Sequence, residues 1–233
     1  MTDGGAGRAA TVRAAVAAGV DWVQLRDRSL SGRSLLEAAR ALRAAAAAGA
    51  AGRPAGCVLL LNRRLDVALA LAAEPLEDVR IGLHLGFDAP PLAEARRALE
   101  RLGPLRGPVG VATHAAEEVA AAAAGGADYA QLAPIFDPLS KPSERPALGT
   151  EALARASQQA GRCRLLAQGG IDAGTAEAAL RAGAHGVVVT GAILGAPAPG
   201  ASAGRLRATL DAAARGPARS ALSREAQPAE DGS

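Results

Sequence analysis

Short apolar runs punctuate this chain at Trp22–Leu25, Cys57–Leu61, Gly82–Leu85, Val109–Ala112, Tyr129–Leu132, Leu165–Ala167 and Gly186–Val189. Most are apolar throughout, the mark of strands buried on both faces of a parallel sheet. Alanine-rich stretches of helical length separate them. These predict helices near 8–18, 31–48, 65–73, 91–102, 115–124, 150–160 and 173–182, with a last one near 201–214. Strands alternating with helices predict βα units. One junction recurs: Ala18-Gly19-Val20-Asp21-Trp22-Val23-Gln24-Leu25, Gly125-Gly126-Ala127-Asp128-Tyr129-Ala130-Gln131-Leu132 and Ala182-Gly183-Ala184-His185-Gly186-Val187-Val188-Val189. Each time a glycine ends a helix and a buried strand follows. The repetition argues for an α/β fold of (β/α)8 TIM-barrel type over an open sheet. Such a barrel needs eight strands, and the pattern supplies seven. The chain opens on a helix, so the first strand reads as missing or truncated and would precede Met1. One barrel domain is expected over residues 1–214, followed by a disordered tail at 215–233 rich in Ala, Ser, Pro, Glu and Arg.

The segment Leu165–Leu194 carries the clearest chemical signal. Its two strands end at Gly169-Gly170 and at Thr190-Gly191. Glycine turns bring backbone N–H groups together, and a helix start adds its positive dipole end. Two such turns in successive units predict a phosphate cradle, the usual place for one in this architecture. The structural alternative is that these glycines serve only tight βα turns. The other strand ends carry Gln24, Arg26 and Arg28, then Asn62, Arg63 and Arg64, then His84, then His114. The long, proline-rich loop Pro134–Gly149 carries Lys141 and reads as a lid. Arginines, an amide and a lysine on one face predict a site for a polyanion such as diphosphate.

Composition narrows the classes. A chain of 233 residues holds one large core. The net charge of +3 is spread without like-charge runs, and one Trp, one Tyr and two Phe leave no stacking surface. Nucleic acid is therefore not an expected partner. Cys57 and Cys163 form no CxxC pair and read as reduced core thiols. No unbroken apolar stretch of membrane-spanning length and no signal peptide are visible, so no membrane partner and a cytoplasmic location are expected. The oligomeric state is left open, and a homo-oligomer is compatible.

The segments GVDWVQLRDRSLSGRSLLE, LLLNRRLDVALAL, GLHLG, GVATHAAEEV, GADYAQLAPIFDPLSKPSERPALG and LLAQGGIDAGTAEAALRAGAHGVVVTGAI, in that order, resemble the thiamine phosphate synthase/TenI family from residue 1 to about 214. The resemblance implies a TIM barrel. It also implies one of two activities. Synthases of the family join a hydroxymethylpyrimidine diphosphate to a thiazole phosphate, with Mg²⁺ on the diphosphate. The TenI branch includes thiazole phosphate tautomerases, which need no metal. Met1-Thr2-Asp3 resembles the turn that ends the family's first strand.

Carried over residue by residue, Gln24 and Arg26 match the diphosphate-binding pattern, and Arg28 stands where lysine is usual. Asn62 matches the family asparagine. Arg63 stands at one Mg²⁺-binding aspartate position and Ala89 at the other, with Asp88 one place early. Phe87 replaces a glutamine and Ala112 a serine. Pro138 and Ser140 replace two threonines, while Lys141 is kept. Ser140, Gly169, Gly170, Thr190 and Gly191 fit the thiazole-phosphate end. Mg²⁺ requires hard oxygen ligands in near-octahedral geometry, so no metal or other cofactor is expected, Mg²⁺ entering only under the synthase alternative. His114 aligns with the histidine that moves protons in the tautomerases, a task suited to imidazole; a helix-entry role is its structural alternative. His84 is expected inside the barrel, His185 as a surface cap and Asp66 as a helix cap.

The expectation is a TenI-like enzyme of tautomerase type with a degenerate metal site and little or no thiamine phosphate synthesis. The alternatives are a true thiamine phosphate synthase and a non-catalytic barrel that binds thiazole or thiamine phosphate. The partners implied are small molecules: a phosphorylated thiazole and a pyrimidine diphosphate.

Overall fold

The computed structural model describes residues 4–75, 79–137 and 145–215. Seven strands, β1 (Trp22–Leu25), β2 (Cys57–Asn62), β3 (Val79–Leu85), β4 (Val109–Thr113), β5 (Tyr129–Leu132), β6 (Arg164–Gln168) and β7 (Gly186–Val188), form one sheet in sequence order. Every pairing is parallel: Trp22 faces Val58, Leu59 faces Ile81, Leu83 faces Val109, Val111 faces Ala130, Ala130 faces Leu165 and Ala167 faces Val187. Helices α1 (Gly4–Ala17), α2 (Gly32–Ala50), α3 (Leu65–Ala72), α4 (Leu92–Leu102), α5 (Ala116–Ala124), α6 (Gly149–Gln159), α7 (Ala176–Arg181), α8 (Gly191–Leu194) and α9 (Pro199–Arg215) alternate with them.

The strand pleat divides the core in two. Alternate residues of β2 point to opposite faces. Cys57, Leu59 and Leu61 join the outer layer under the helices. Val58 and Leu60 point inward, where they meet Tyr129 and Leu166. Tyr129 fills the interior: a side chain at Gly110 would strike its ring. The rings of Trp22 and Tyr129 meet edge-on, centroids 5.2 Å apart, so β1 and β5 face each other and the sheet is curled.

The curl does not close. Among the described residues β1 and β7 pair on one side only. Their residues are half-buried, apart from the buried Leu25, whereas β2 is buried from Cys57 to Leu61. The fold is a TIM barrel with one strand missing. Helices α1 and α9 bracket the gap and pack on each other. Asp21, just before β1, ties the two sides together by accepting from Arg53 at 2.7 Å and Arg207 at 3.2 Å.

Several boundaries differ from those read in the sequence. Strand β3 starts at Val79 rather than Gly82, because Val79 and Ile81 extend the ladder opposite Cys57 and Leu59. Helix α7 starts at Ala176 because Asp172 first folds the chain into a turn, Oδ1 accepting from the N–H groups of Gly174 and Thr175 at 2.8 and 3.1 Å. The four-residue helix α8 was not foreseen. Asp66 is not the N-cap of α3, which is Arg64: it lies in the first turn and accepts from Nε and Nη2 of Arg64, at 2.9 and 2.7 Å. The expected tail falls largely on 216–233, outside the described residues. Cys57 and Cys163 are buried, and desolvation pushes both thiols up to about 11, as suits unreactive core residues. Among the described residues no helix is long and apolar enough to cross a membrane.

Candidate active site

The C-terminal ends of the strands open on a cavity of about 1740 Å³ that runs down the interior and out through the gap between β1 and β7. Gln24, Arg26, Arg28, Asn62, Arg63, His114, Gly169 and Thr190 all line it. Lys141 and Ser140 lie outside the described residues.

One side of the mouth is cationic. Arg26 is exposed and makes no ion pair among the described residues. Arg28 and Arg63 converge on a single carboxylate oxygen, Asp88 Oδ2, at 3.0 and 2.9 Å. Arg63 has φ +68 and is the positive-φ exception among the non-glycine residues described. For a long side chain that conformation costs about 1 kcal/mol, whereas Asp and Asn tolerate it. Its N–H is anchored on the His84 carbonyl at 2.8 Å, while Nε is buried without a hydrogen-bond partner. The backbone thus holds this guanidinium at the mouth against local preference. Gln24 instead turns inward, its Oε1 accepting from Gln131 at 3.4 Å. Arg64 is committed to Asp66 and does not join the arc.

The opposite side carries the glycine turns. The N–H groups of Gly170 and Gly191 find no acceptor among the described residues, as an anion cradle requires. Gly170 and Gly191 themselves stand just behind the lining. The glycines at the first turn also have a packing reason. A Cβ on Gly170 would lie 2.6 Å from Phe136 Cβ and 2.5 Å from the Asp137 carbonyl oxygen, and one on Gly169 2.7 Å from Pro134 Cα. The start of the β5–α6 loop lies directly on them, bonded through the Ile135 and Phe136 N–H groups to the carbonyls of Gln168 and Gly169. The packing alone accounts for the glycines at this turn, and the N–H of Gly170 is left without an acceptor among the described residues.

His114 sits between the two sides. Its Nδ1 lies 2.5 Å from the Ala133 carbonyl oxygen, which can only accept, so Nδ1 carries a proton and Nε2 is the nitrogen left for exchange with a ligand. Its backbone N–H donates to Glu118 at 2.6 Å, so the residue also marks the entry to α5. The exposed Phe87 stacks on it. His84 is 3% exposed; desolvation, then the charge of Arg26, lowers it to about 4. Its Nδ1 lies 3.1 Å from the hydroxyl of Tyr129, which donates to the Leu83 carbonyl. His185 is exposed, its Nδ1 accepting from the Leu165 N–H at 3.3 Å.

Gln131 lines this mouth without having been assigned to it, and Asp88, read as one place away from a family metal position, instead pairs with arginines there. Gln131 occupies the same position as Gln24 in the recurring junction, a signal that could have found it. The pairing of Asp88 with Arg28 and Arg63 carries no such signal, since these partners come from other loops.

A Mg²⁺ ion does not fit these residues. It needs several hard oxygen ligands. Asp88 Oδ2 is engaged by two guanidiniums, Arg63 and Ala89 offer no ligand oxygen from their side chains, and the described residues hold no group of three His, Cys, Asp or Glu poised for a metal.

The fold is an α/β barrel with its candidate site at the C-terminal ends of the strands. Comparison with known proteins narrows the class. The sequence model of a protein family described as thiamine monophosphate synthase matches residues 2–193. A thiamine-phosphate synthase of Methanoculleus marisnigri is 38% identical over 220 residues, covering 91% of this chain and 94% of the relative. One of Chloroflexus aurantiacus is 36% identical over 215 residues, covering 90% of each. The structure of a thiamine phosphate pyrophosphorylase from Pyrococcus furiosus superposes with a TM-score of 0.73 at 24% identity, over 88% of this chain and 90% of that one, and shares the fold. The chain belongs to the thiamine monophosphate synthase family. The relatives' names favour the synthase alternative over the tautomerase expected from the sequence.

Proposed function

We propose that this chain condenses a pyrimidine diphosphate with a thiazole phosphate to give thiamine phosphate and diphosphate. The observation that supports this reading is that one cavity is lined both by the arginine arc of β1 and β2 and by Gly169 and Thr190 of the turns after β6 and β7. Two ends suit two phosphorylated substrates, while isomerisation of one phosphate uses one. In the reaction the bond between the pyrimidine methylene and the diphosphate oxygen breaks, the electron pair leaves with the diphosphate, and the thiazole nitrogen bonds to the methylene. In this reading Arg26, Arg28 and Arg63 offset the charge that develops on the leaving group. The Gln24–Gln131 amide pair lies deeper, suited to hydrogen bonding a heterocycle rather than a phosphate. The test is product formation from both substrates, with Mg²⁺ and with a chelator. Turnover that survives the chelator is expected. No thiamine phosphate under either condition overturns the reading.

One observation favours a second activity. With its Nδ1 donating to the Ala133 carbonyl, His114 keeps Nε2 as the nitrogen that could exchange a proton with a thiazole ring. Tautomerisation of a thiazole carboxylate phosphate, followed spectroscopically, tests it.

A further inference from the structure

We propose that Asp88 is a latch on the arginine arc: it pairs with Arg28 and Arg63 until a phosphate or diphosphate, held without a metal, displaces it. The inference rests on placing the diphosphate end at the arginine arc. Its test reads binding, so absent turnover and a wrong latch are distinguishable.

Three observations support it. First, one carboxylate oxygen serves two guanidiniums. Two positive charges against one negative leave the group cationic, and Arg26, without an ion pair among the described residues, lines the same cavity. A phosphate or diphosphate brings more charge and more acceptor oxygens than Asp88, in the geometry that guanidinium forks match. Second, the latch is weak. Both ion pairs lie in part in solvent, with Arg28 60% and Asp88 47% exposed, and such pairs contribute little. Release of Asp88 is therefore cheap. Third, Arg63 keeps an unfavourable backbone conformation, and its buried Nε lacks a hydrogen-bond partner among the described residues. A scaffold that served only folding would place Asn or Asp here. The arginine is held for its charge.

Asp88 also sets the selectivity of the site. A monoanion offers the arginines nothing that the aspartate does not already supply. A dianion or a more highly charged ligand displaces it. The latch thus keeps the arc paired in the empty protein and discriminates against simple carboxylates.

The test is calorimetry with inorganic diphosphate in chelator at low salt, on the full chain and three variants. Asp88→Asn removes the competitor while keeping the side chain's size; it should bind diphosphate about fivefold more tightly, and acetate should begin to compete. Arg63→Asn should bind at least about tenfold more weakly, and its melting temperature should not fall, because Asn suits the positive φ. Arg28→Gln should also weaken binding. Weaker or unchanged binding in Asp88→Asn would show that the aspartate positions the arginines or stands aside, and would overturn the latch. Full binding in both arginine variants would overturn the site. Heat from Mg²⁺ alone, lost in Asp88→Asn, would show a metal site and overturn metal independence.

Discussion

Phe87 lies flat on His114, ring centroids 4.3 Å apart and planes 12° from parallel. With the Ala133 carbonyl at Nδ1, the stack fixes the imidazole from its face and from its edge. A histidine held this way is oriented for proton transfer before substrate arrives. His114→Asn should therefore lower thiazole tautomerisation about 100-fold while phosphate binding is retained. Phe87→Ala should lower it by a few-fold only, since it loosens the ring and leaves the base in place. Steady-state rates of both variants check this. An unchanged kcat in His114→Asn leaves the residue with its role at the entry to α5.

The phosphate cradle needs a variant that spares the packing. A valine at Gly170 would press on Phe136 and Asp137 at a φ of +61, so its effect would mix folding with binding. Gly191 is better placed: it is exposed, opens α8, and has no positive φ. An aspartate there suits the helix start but repels a phosphate. Gly191→Asp should bind thiazole phosphate at least about tenfold more weakly, with an unchanged melting temperature. Equal affinity by calorimetry would place the phosphate elsewhere.

Much of this arrangement was legible in the chain. All seven strands show as apolar runs because parallel strands are buried on both faces. The recurring junction proved to be more than a fold signature: Trp22 meets Tyr129, and Gln24 meets Gln131, each pair from equivalent positions of the repeat. The missing strand was legible for the same reason. The Asp88 latch was not, because it joins three loops with no fixed spacing. Nor was the true start of α7, where the Asp172 turn overrides helix propensity. Lys141 and Ser140 remain readings from sequence, since they lie outside the described residues.

His84 gives the protein a pH dependence with a definite sign. Desolvation, aided by Arg26, lowers its pKa from 6.5 to about 4. The unfolded chain thus binds a proton that the folded one refuses, and stability rises with pH across that window. The contribution is complete above about pH 6.5 and is lost as pH falls toward 4, an effect on the order of 3 kcal/mol at most. The carboxylates held low by their partners, such as Asp66 beside Arg64, lose their contribution only at lower pH. Denaturant midpoints at pH 7 and 4.5 should fall closer together in His84→Gln than in the parent. Equal pH dependence would assign the loss to other groups.

The last prediction concerns the open edges. Strands β1 and β7 each present an unpaired backbone row toward the gap, flanked by α1 and α9. Such edges invite pairing with other chains. A strand placed ahead of Gly4 would lead through α1 into β1, the right-handed connection that parallel sheets adopt. Adding a short β-branched apolar segment and a turn before Gly4 should therefore fill the gap in parallel with both neighbours. Several new ladder hydrogen bonds, each worth about 1 kcal/mol net, should together raise the melting temperature by several degrees. Amide exchange should slow at Trp22–Leu25 and Gly186–Val188, the two edges, and little elsewhere. A segment of equal length made of Gly and Ser should do neither. A rise in stability without edge protection would mean that the added residues pack on α1 and α9 and leave the sheet open.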